Sequence, residues 1–194
     1  MKVVLASSNE YKHGEFKKLL EDSKIELVYY PQKLEIEENG SSFFSNALIK
    51  ARAWSIETGL PALSDDSGII VRAISWMPGI HSARIIEGTD KDRNEWLLTQ
   101  LNGKEDRYAE YVAALVLYNQ KSGWAIGTEG RCPGTISAYQ RGNSGFGYDP
   151  LFIPTGYEKT FGELSAEVKL KISHRSIALN KLLYVVFHSF CDRI

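Results

Sequence analysis

The sequence predicts an α/β fold, on three observations. A short apolar run, Lys2–Ala6, opens the chain and stops at the polar Ser7-Ser8-Asn9. A helical pattern follows from about Glu10 to Leu20, with Phe16, Leu19 and Leu20 on its inner face. A second apolar run, Ile25–Tyr30, comes next and is stopped by Pro31. Strand, turn, helix and strand in that order read as a βαβ unit.

The remaining elements follow in chain order. Glu35–Gly40 is an acidic loop, and Ser41 or Ser42 is placed to cap the next helix. That helix carries Phe43, Phe44, Ala47, Leu48, Ala51 and Trp54 at helical spacing, and Gly59 and Pro61 end it. Asn46 and Lys50 lie one turn apart on one side of it and are spaced to act together. Ser64-Asp65-Asp66-Ser67-Gly68 reads as a polar turn between Ala62–Leu63 and Ile69–Val71. Met77-Pro78-Gly79-Ile80 reads as a second turn, and Asp92–Leu101 as a short helix ended by Asn102-Gly103. Tyr108–Tyr118 and Trp124–Gly130, joined by Asn119–Gly123, read as a long hairpin. Gly142–Pro150 is a glycine-rich loop. Ser165 is expected to cap one short helix, and Ser173 to begin another with Ala178, Leu182, Val185, Val186 and Phe190 on one stripe. No repeat or linker divides the chain, so residues 1–194 are expected to form a single domain.

Composition narrows the function classes. The chain has 194 residues, long enough to bury about 70% of its unfolded surface. Apolar residues make up 43% and charged residues 24%, as in a soluble globular protein. A net charge of −1 argues against a general nucleic-acid binder, which needs a basic excess. Cys132 and Cys191 lie in no metal-ligand spacing and read as reduced thiols. No stretch is apolar enough to span a bilayer, and the first apolar run is too short for a signal segment, so the cytoplasm is the expected location.

Four segments are candidates for chemistry. Asp65 and Asp66 are adjacent acids that need a cation or donors to offset their repulsion, and Glu35, Glu37 and Glu38 supply a second acidic group. Hard carboxylate oxygens suit Mg²⁺, which takes one or two carboxylates plus substrate phosphates. The plainer alternative is a polar turn. Ser7-Ser8-Asn9 precedes a helix whose N-terminus presents N–H groups to an anion, and Lys12 adds charge, although such a segment also serves as an ordinary cap. His174 and Arg175 stand at a predicted helix start, where cations oppose the dipole unless an anion lies nearby, and Lys169 is close in sequence. In Gly142–Pro150, Phe146 or Tyr148 is suited to stack on a base and Asp149 to read a ring N–H. The alternative there is a rigid loop whose aromatics plug the core. His13, His81, His174 and His188 show no HExxH spacing, and GxxxxGK[ST], GxGxxG and GxSxG are all absent.

Taken in order, these segments resemble the inosine/xanthosine triphosphate pyrophosphatase family of the Ham1/RdgB type. The likeness runs over nearly the whole chain. It rests on Val3–Lys12, on Glu38-Asn39-Gly40 with Phe43 and Asn46–Ala51, and on Leu63–Gly68. It rests also on Pro78–Arg84, Gly130–Gly134, Gly145–Pro150 and Ile172–Arg175. Ser45 stands where the family often has an acidic residue.

The resemblance implies an elongated mixed β-sheet flanked by helices, with two lobes enclosing a nucleotide-binding cleft. It implies hydrolysis of noncanonical purine nucleoside triphosphates (ITP, dITP and XTP) to the monophosphate and pyrophosphate. Asp66 matches the catalytic base and a metal ligand, and Glu38 the other metal carboxylate. Ser7, Ser8, Asn9, Glu10, Tyr11 and Lys12 match the triphosphate-binding segment. Ser67, Phe146, Gly147, Tyr148, Asp149, Lys169, His174 and Arg175 match further substrate contacts. One Mg²⁺ per site is implied, with Mn²⁺ as a replacement, and so is a homodimer. His174 and Arg175 are expected to donate to the 6-oxo group of the base, which adenine lacks. A Maf-like pyrophosphatase and a non-catalytic nucleotide-binding regulator are the rival readings.

Overall fold

The computed structural model describes residues 1–30 and 34–189. Pro31 as a strand stop, Phe190 as a stripe member and the Cys191 thiol lie outside them. The expected α/β class is borne out. Strands and helices alternate as β1 (Lys2–Ala6), α1 (Glu10–Leu19), β2 (Glu26–Val28), α2 (Phe43–Thr58), β3 (Ala62–Val71) and β4 (Met77–Pro78). There follow α3 (Asp90–Gln100), β5 (Tyr108–Asn119), β6 (Trp124–Ile136), β7 (Phe152–Pro154), α4 (Ala166–Ile172) and α5 (His174–Ser189). The sheet is mixed and seven-stranded, ordered β2-β1-β3-β5-β6-β7 with β4 beside β3.

The chain forms two compact units. One comprises Met1–Asp66, Ala113–Gly130 and the described part of Arg175–Ile194. Its β1 lies parallel to both β2 and β3, with Val3 beside Leu27 and Leu5 beside Leu63. Alternation along β1 sends Val3 and Leu5 to one core, with Phe16 of α1 and Leu179 and Leu182 of α5. It sends Val4 and Ala6 to another, with Trp54 of α2. Both faces are covered, which is why this strand reads as an unbroken apolar run.

The other unit comprises Ser67–Val112 and Arg131–His174. Its core joins Ile69, Leu97, Tyr111, Ile136, Tyr148, Phe152 and Phe161. Phe152 and Phe161 pack at a centroid distance of 5.3 Å, within the range of favourable aromatic pairs.

The helix starts follow their caps. Asn9 caps α1, and Ser42 and Ser45 form a reciprocal capping box on α2. Ser45 therefore does locally what an acidic residue at that position does, accepting from the Ser42 N–H at 2.9 Å. Gly59 closes α2 in the left-handed region at φ 68°. Thr89 and Asp92 form a second capping box, so α3 starts at Asp90, two residues before the expected Asp92. Ser165 caps α4 as expected.

Two expected turns are corrected. Ser64–Gly68 is not a turn but the middle of the ten-residue strand β3. Polar residue types favour turns, but here tertiary partners satisfy the polar groups; the Ser64 hydroxyl, for example, donates to the Ala47 carbonyl. Met77-Pro78 is the short strand β4, paired antiparallel with Val71 and Ile70 of β3, and a 3-10 turn then covers Gly79–His81. Strand β7 and the extension of β6 to Ile136 were not expected. A Pro133 inside β6 and a Pro154 ending β7 weaken the strand signal in sequence.

Candidate active site

Adjacent residues of a strand face opposite ways, so β3 separates its two acids. Asp66 faces α2. Its Oδ1 accepts from Lys50 Nζ at 3.1 Å and its Oδ2 from Asn46 Nδ2 at 3.2 Å. Lys50 Nζ also lies 3.0 Å from Glu38 Oε1, so one ammonium gathers both acids of the expected metal pair. Asn46 reaches two ways, because its Oδ1 accepts the Gly40 N–H at 2.8 Å. A Cβ on Gly40 would lie 2.6 Å from that Oδ1, so only glycine lets the acidic loop close on α2 here. Burial chiefly raises the Asp66 carboxyl above its ordinary value; Lys50 opposes this and Glu38 adds to it. Burial would lower the Lys50 ammonium, but the charges of Asp66 and Glu38 outweigh it and the net shift is upward.

Asp65 faces a different set of cations. Its Oδ2 lies 2.8 Å from Lys12 Nζ and 3.2 Å from Arg175 Nε, and Arg175 Nη1 reaches Glu15 at 2.8 Å. Asp65 is 1% exposed and Arg175 4%. Burial would raise the Asp65 carboxyl, yet Arg175 and Lys12 hold it far below the carboxylate range. Burial lowers the Lys12 ammonium, with Asp65 opposing. Asp65 thus ties α1 to the start of α5 across β3. The expected triphosphate segment sits directly before and within α1. Ser7 Oγ accepts the Asn9 N–H at 3.1 Å, Asn9 Oδ1 accepts the Lys12 N–H at 3.2 Å, and Ser8, Glu10 and Tyr11 are exposed.

The expected base-reading residues other than Arg175 lie in the second unit, where Asp149 organises the glycine-rich loop. Its Oδ2 accepts from the Phe146 N–H at 2.9 Å and from Lys169 Nζ at 2.6 Å, and its Oδ1 from the Tyr111 hydroxyl at 3.3 Å. The two aromatics take different parts. Tyr148 is buried and donates its hydroxyl to the Ser82 carbonyl at 2.9 Å, so it plugs the core. Phe146 stays partly exposed, with Lys169 Nζ 4.8 Å from its ring centroid. His174 is buried and stacks on Tyr111 at 4.6 Å with the rings 6° from parallel. His174 and Arg175 therefore part company: the first stacks in the second unit, and the second is bound to the carboxylates of the first unit. Ser67 follows Asp66 on β3 and is partly exposed, and Gly147 takes a positive φ of 63°.

The donor set at Asp66 suits a hard divalent cation. Two carboxylates already converge on one positive charge, and Mg²⁺ takes few protein carboxylates, filling its remaining positions with waters and phosphates. Among the described residues no group of three or more His, Cys, Asp or Glu gathers to cage a metal. A metal held here would take its remaining ligands from outside these side chains. Lys50 and Asn46 were not expected as site residues, although their one-turn spacing on α2 was a usable signal. Glu15 and Tyr111 gave no signal, since both look like ordinary helix and strand positions.

The Ham1 family profile matches residues 3–185. A dITP/XTP pyrophosphatase of Aquifex aeolicus (strain VF5) is 45% identical over 197 residues, covering 96% of each chain. The structure of a HAM1 protein from Coxiella burnetii superposes with a TM-score of 0.85 at 36% identity, covering 96% of this chain and 98% of that one. The Staphylococcus aureus Ham1 protein does so with 0.83 at 33% identity, covering 94% and 96%.

Proposed function

The chain belongs to the Ham1 family, and from that premise we propose that it hydrolyses noncanonical purine nucleoside triphosphates, dITP, ITP and XTP, to the monophosphate and pyrophosphate. The observation that supports this reading is the pairing of Glu38 and Asp66 on Lys50, which brings together two hard carboxylates of the kind a phosphate-bound cation takes. The dITP/XTP pyrophosphatase of Aquifex aeolicus supports the substrate class.

In the proposed reaction, a water oxygen bonds to the α-phosphorus and the bond to the α–β bridging oxygen breaks. That oxygen leaves with the pyrophosphate. Asp66 orients the water and takes its proton, which then passes to solvent. Lys50 and Asn46 hold the Asp66 carboxylate so that little reorganisation is needed. Glu38 and Asp66 would hold Mg²⁺, or Mn²⁺ in its place, which supplies charge neutralisation and orientation of the phosphates. Phe146 offers its ring to the base, and His174 a donor to the 6-oxo group. The segment from Ser7 to Lys12 is assigned to the phosphates on the family resemblance and on its place at the N-terminus of α1. The homodimer and the cytoplasmic location belong to the proposal on the family resemblance and the composition.

A nucleotide panel tests the reading. Pyrophosphate release from dITP and XTP with Mg²⁺ should exceed that from dATP and the pyrimidine triphosphates by at least about tenfold, and EDTA should abolish it. Preference for pyrimidine or modified nucleotides would favour the Maf-like alternative. Binding without any release would favour a regulator.

A further inference from the structure

Helix α3 carries two side chains that hold one residue of the glycine-rich loop, Gly147, by its N–H and by its carbonyl. Asp90 Oδ2 accepts the Gly147 N–H at 2.7 Å, and Asn94 Nδ2 donates to the Gly147 carbonyl at 3.0 Å. Both come from one face of the helix, four residues apart. The grip is itself supported. Arg93 Nη2 pairs with the other Asp90 oxygen at 2.6 Å, and the Thr89–Asp92 capping box fixes where the helix begins. Asn94 is 1% exposed. Open space surrounds the position a Cβ would take on Gly147, so the glycine is demanded by its backbone, at φ 63°, and not by crowding.

On either side of Gly147 the loop is held differently. Tyr148 is buried with its hydroxyl on the Ser82 carbonyl, so it is fixed by the core. The Phe146 backbone is held by Asp149, but its ring is partly exposed and touches the Lys169 ammonium. Gly147 turns the chain between them and sets which way the Phe146 ring faces, and α3 holds its N–H and its carbonyl. We propose that Asp90 and Asn94 are specificity-determining positioning residues, which act through Gly147 to fix Phe146 for stacking on the purine base. The proposal rests on the reading of Phe146 as the base platform.

The test uses Asp90→Ala and Asn94→Ala, with Asp90→Asn as the conservative control. An asparagine keeps an acceptor for the Gly147 N–H and loses the charge and the bond from Arg93, neither of which touches Gly147. Kinetics are measured with dITP and with 2-deoxyribose 5-triphosphate, which has the sugar and phosphates but no base. The alanine variants should raise KM for dITP about five- to tenfold, each having lost one backbone hydrogen bond, with kcat within about twofold. They should leave kcat/KM for the baseless substrate unchanged, and Asp90→Asn should stay near wild type. Equal losses on both substrates, or an unchanged KM for dITP in folded variants, would overturn the proposal. If both alanine variants fail to fold, Asn94→Ser and the Asp90→Asn control decide it by the same ratio of dITP to baseless substrate. A wild-type protein that hydrolyses no purine triphosphate would instead overturn the functional reading, and the nucleotide panel reports that separately.

Discussion

Replacing Asp66 by asparagine is expected to lower kcat for dITP by about 10²–10⁴-fold, the range a positioned general base contributes, while the protein stays folded. The asparagine can still accept from Lys50 at the place of Oδ1, and Lys50 keeps Glu38 as a partner, so no buried charge is stranded. The loss should lie mainly in kcat, because the carboxylate acts on the water, with a smaller rise in KM from the lost metal carboxylate. Excess Mg²⁺ or Mn²⁺ should restore little of it. A variant with near-normal turnover would remove Asp66 from the reaction.

The neighbouring substitution is expected to act on stability. Asp65→Ala removes the carboxylate shared by Lys12 and Arg175 and leaves two cations facing each other beneath the surface. Breaking a buried pair in this way costs about 3–5 kcal/mol. For a chain of this size that corresponds to a fall in Tm of roughly 6–20 °C. Glu15 still pairs with Arg175 and limits the damage at that end. Thermal unfolding of Asp65→Ala and Asp66→Asn, side by side, checks the division of labour. The larger fall should belong to Asp65→Ala, and equal melting temperatures would contradict it.

That division was hidden in the sequence, where the two acids stand together as one feature. Residue type suggests a turn at Ser64–Gly68, and only tertiary contact shows a strand whose alternation sends Asp65 and Asp66 to different partners. The partners are remote, since Arg175 lies 110 residues from Asp65. No local pattern announces such a pair. What local patterns do announce was legible. The apolar run of β1, the helical spacing and glycine stop of α2, and the serine caps of α2 and α4 all stand where the sequence puts them. Glu38 and Asp66, matched to a metal pair by the family resemblance, share Lys50, which no spacing in the sequence announces. The glycine-rich loop was found, but its two aromatics could not be told apart by type. Burial separates them, with Tyr148 inside and Phe146 at the surface. The grip of Asp90 and Asn94 on Gly147 spans 57 and 53 residues and left no trace in spacing.

Attack of water on the α-phosphorus at the Asp66 site, as proposed, leaves the oxygen of that water on the nucleoside monophosphate. Hydrolysis of dITP in water labelled with oxygen-18, in the presence of Mg²⁺, tests it most directly, with the products separated and weighed by mass spectrometry. One heavy oxygen is expected in the deoxyinosine monophosphate and none in the pyrophosphate. Label in the pyrophosphate, or release of inorganic phosphate with the diphosphate, would contradict it.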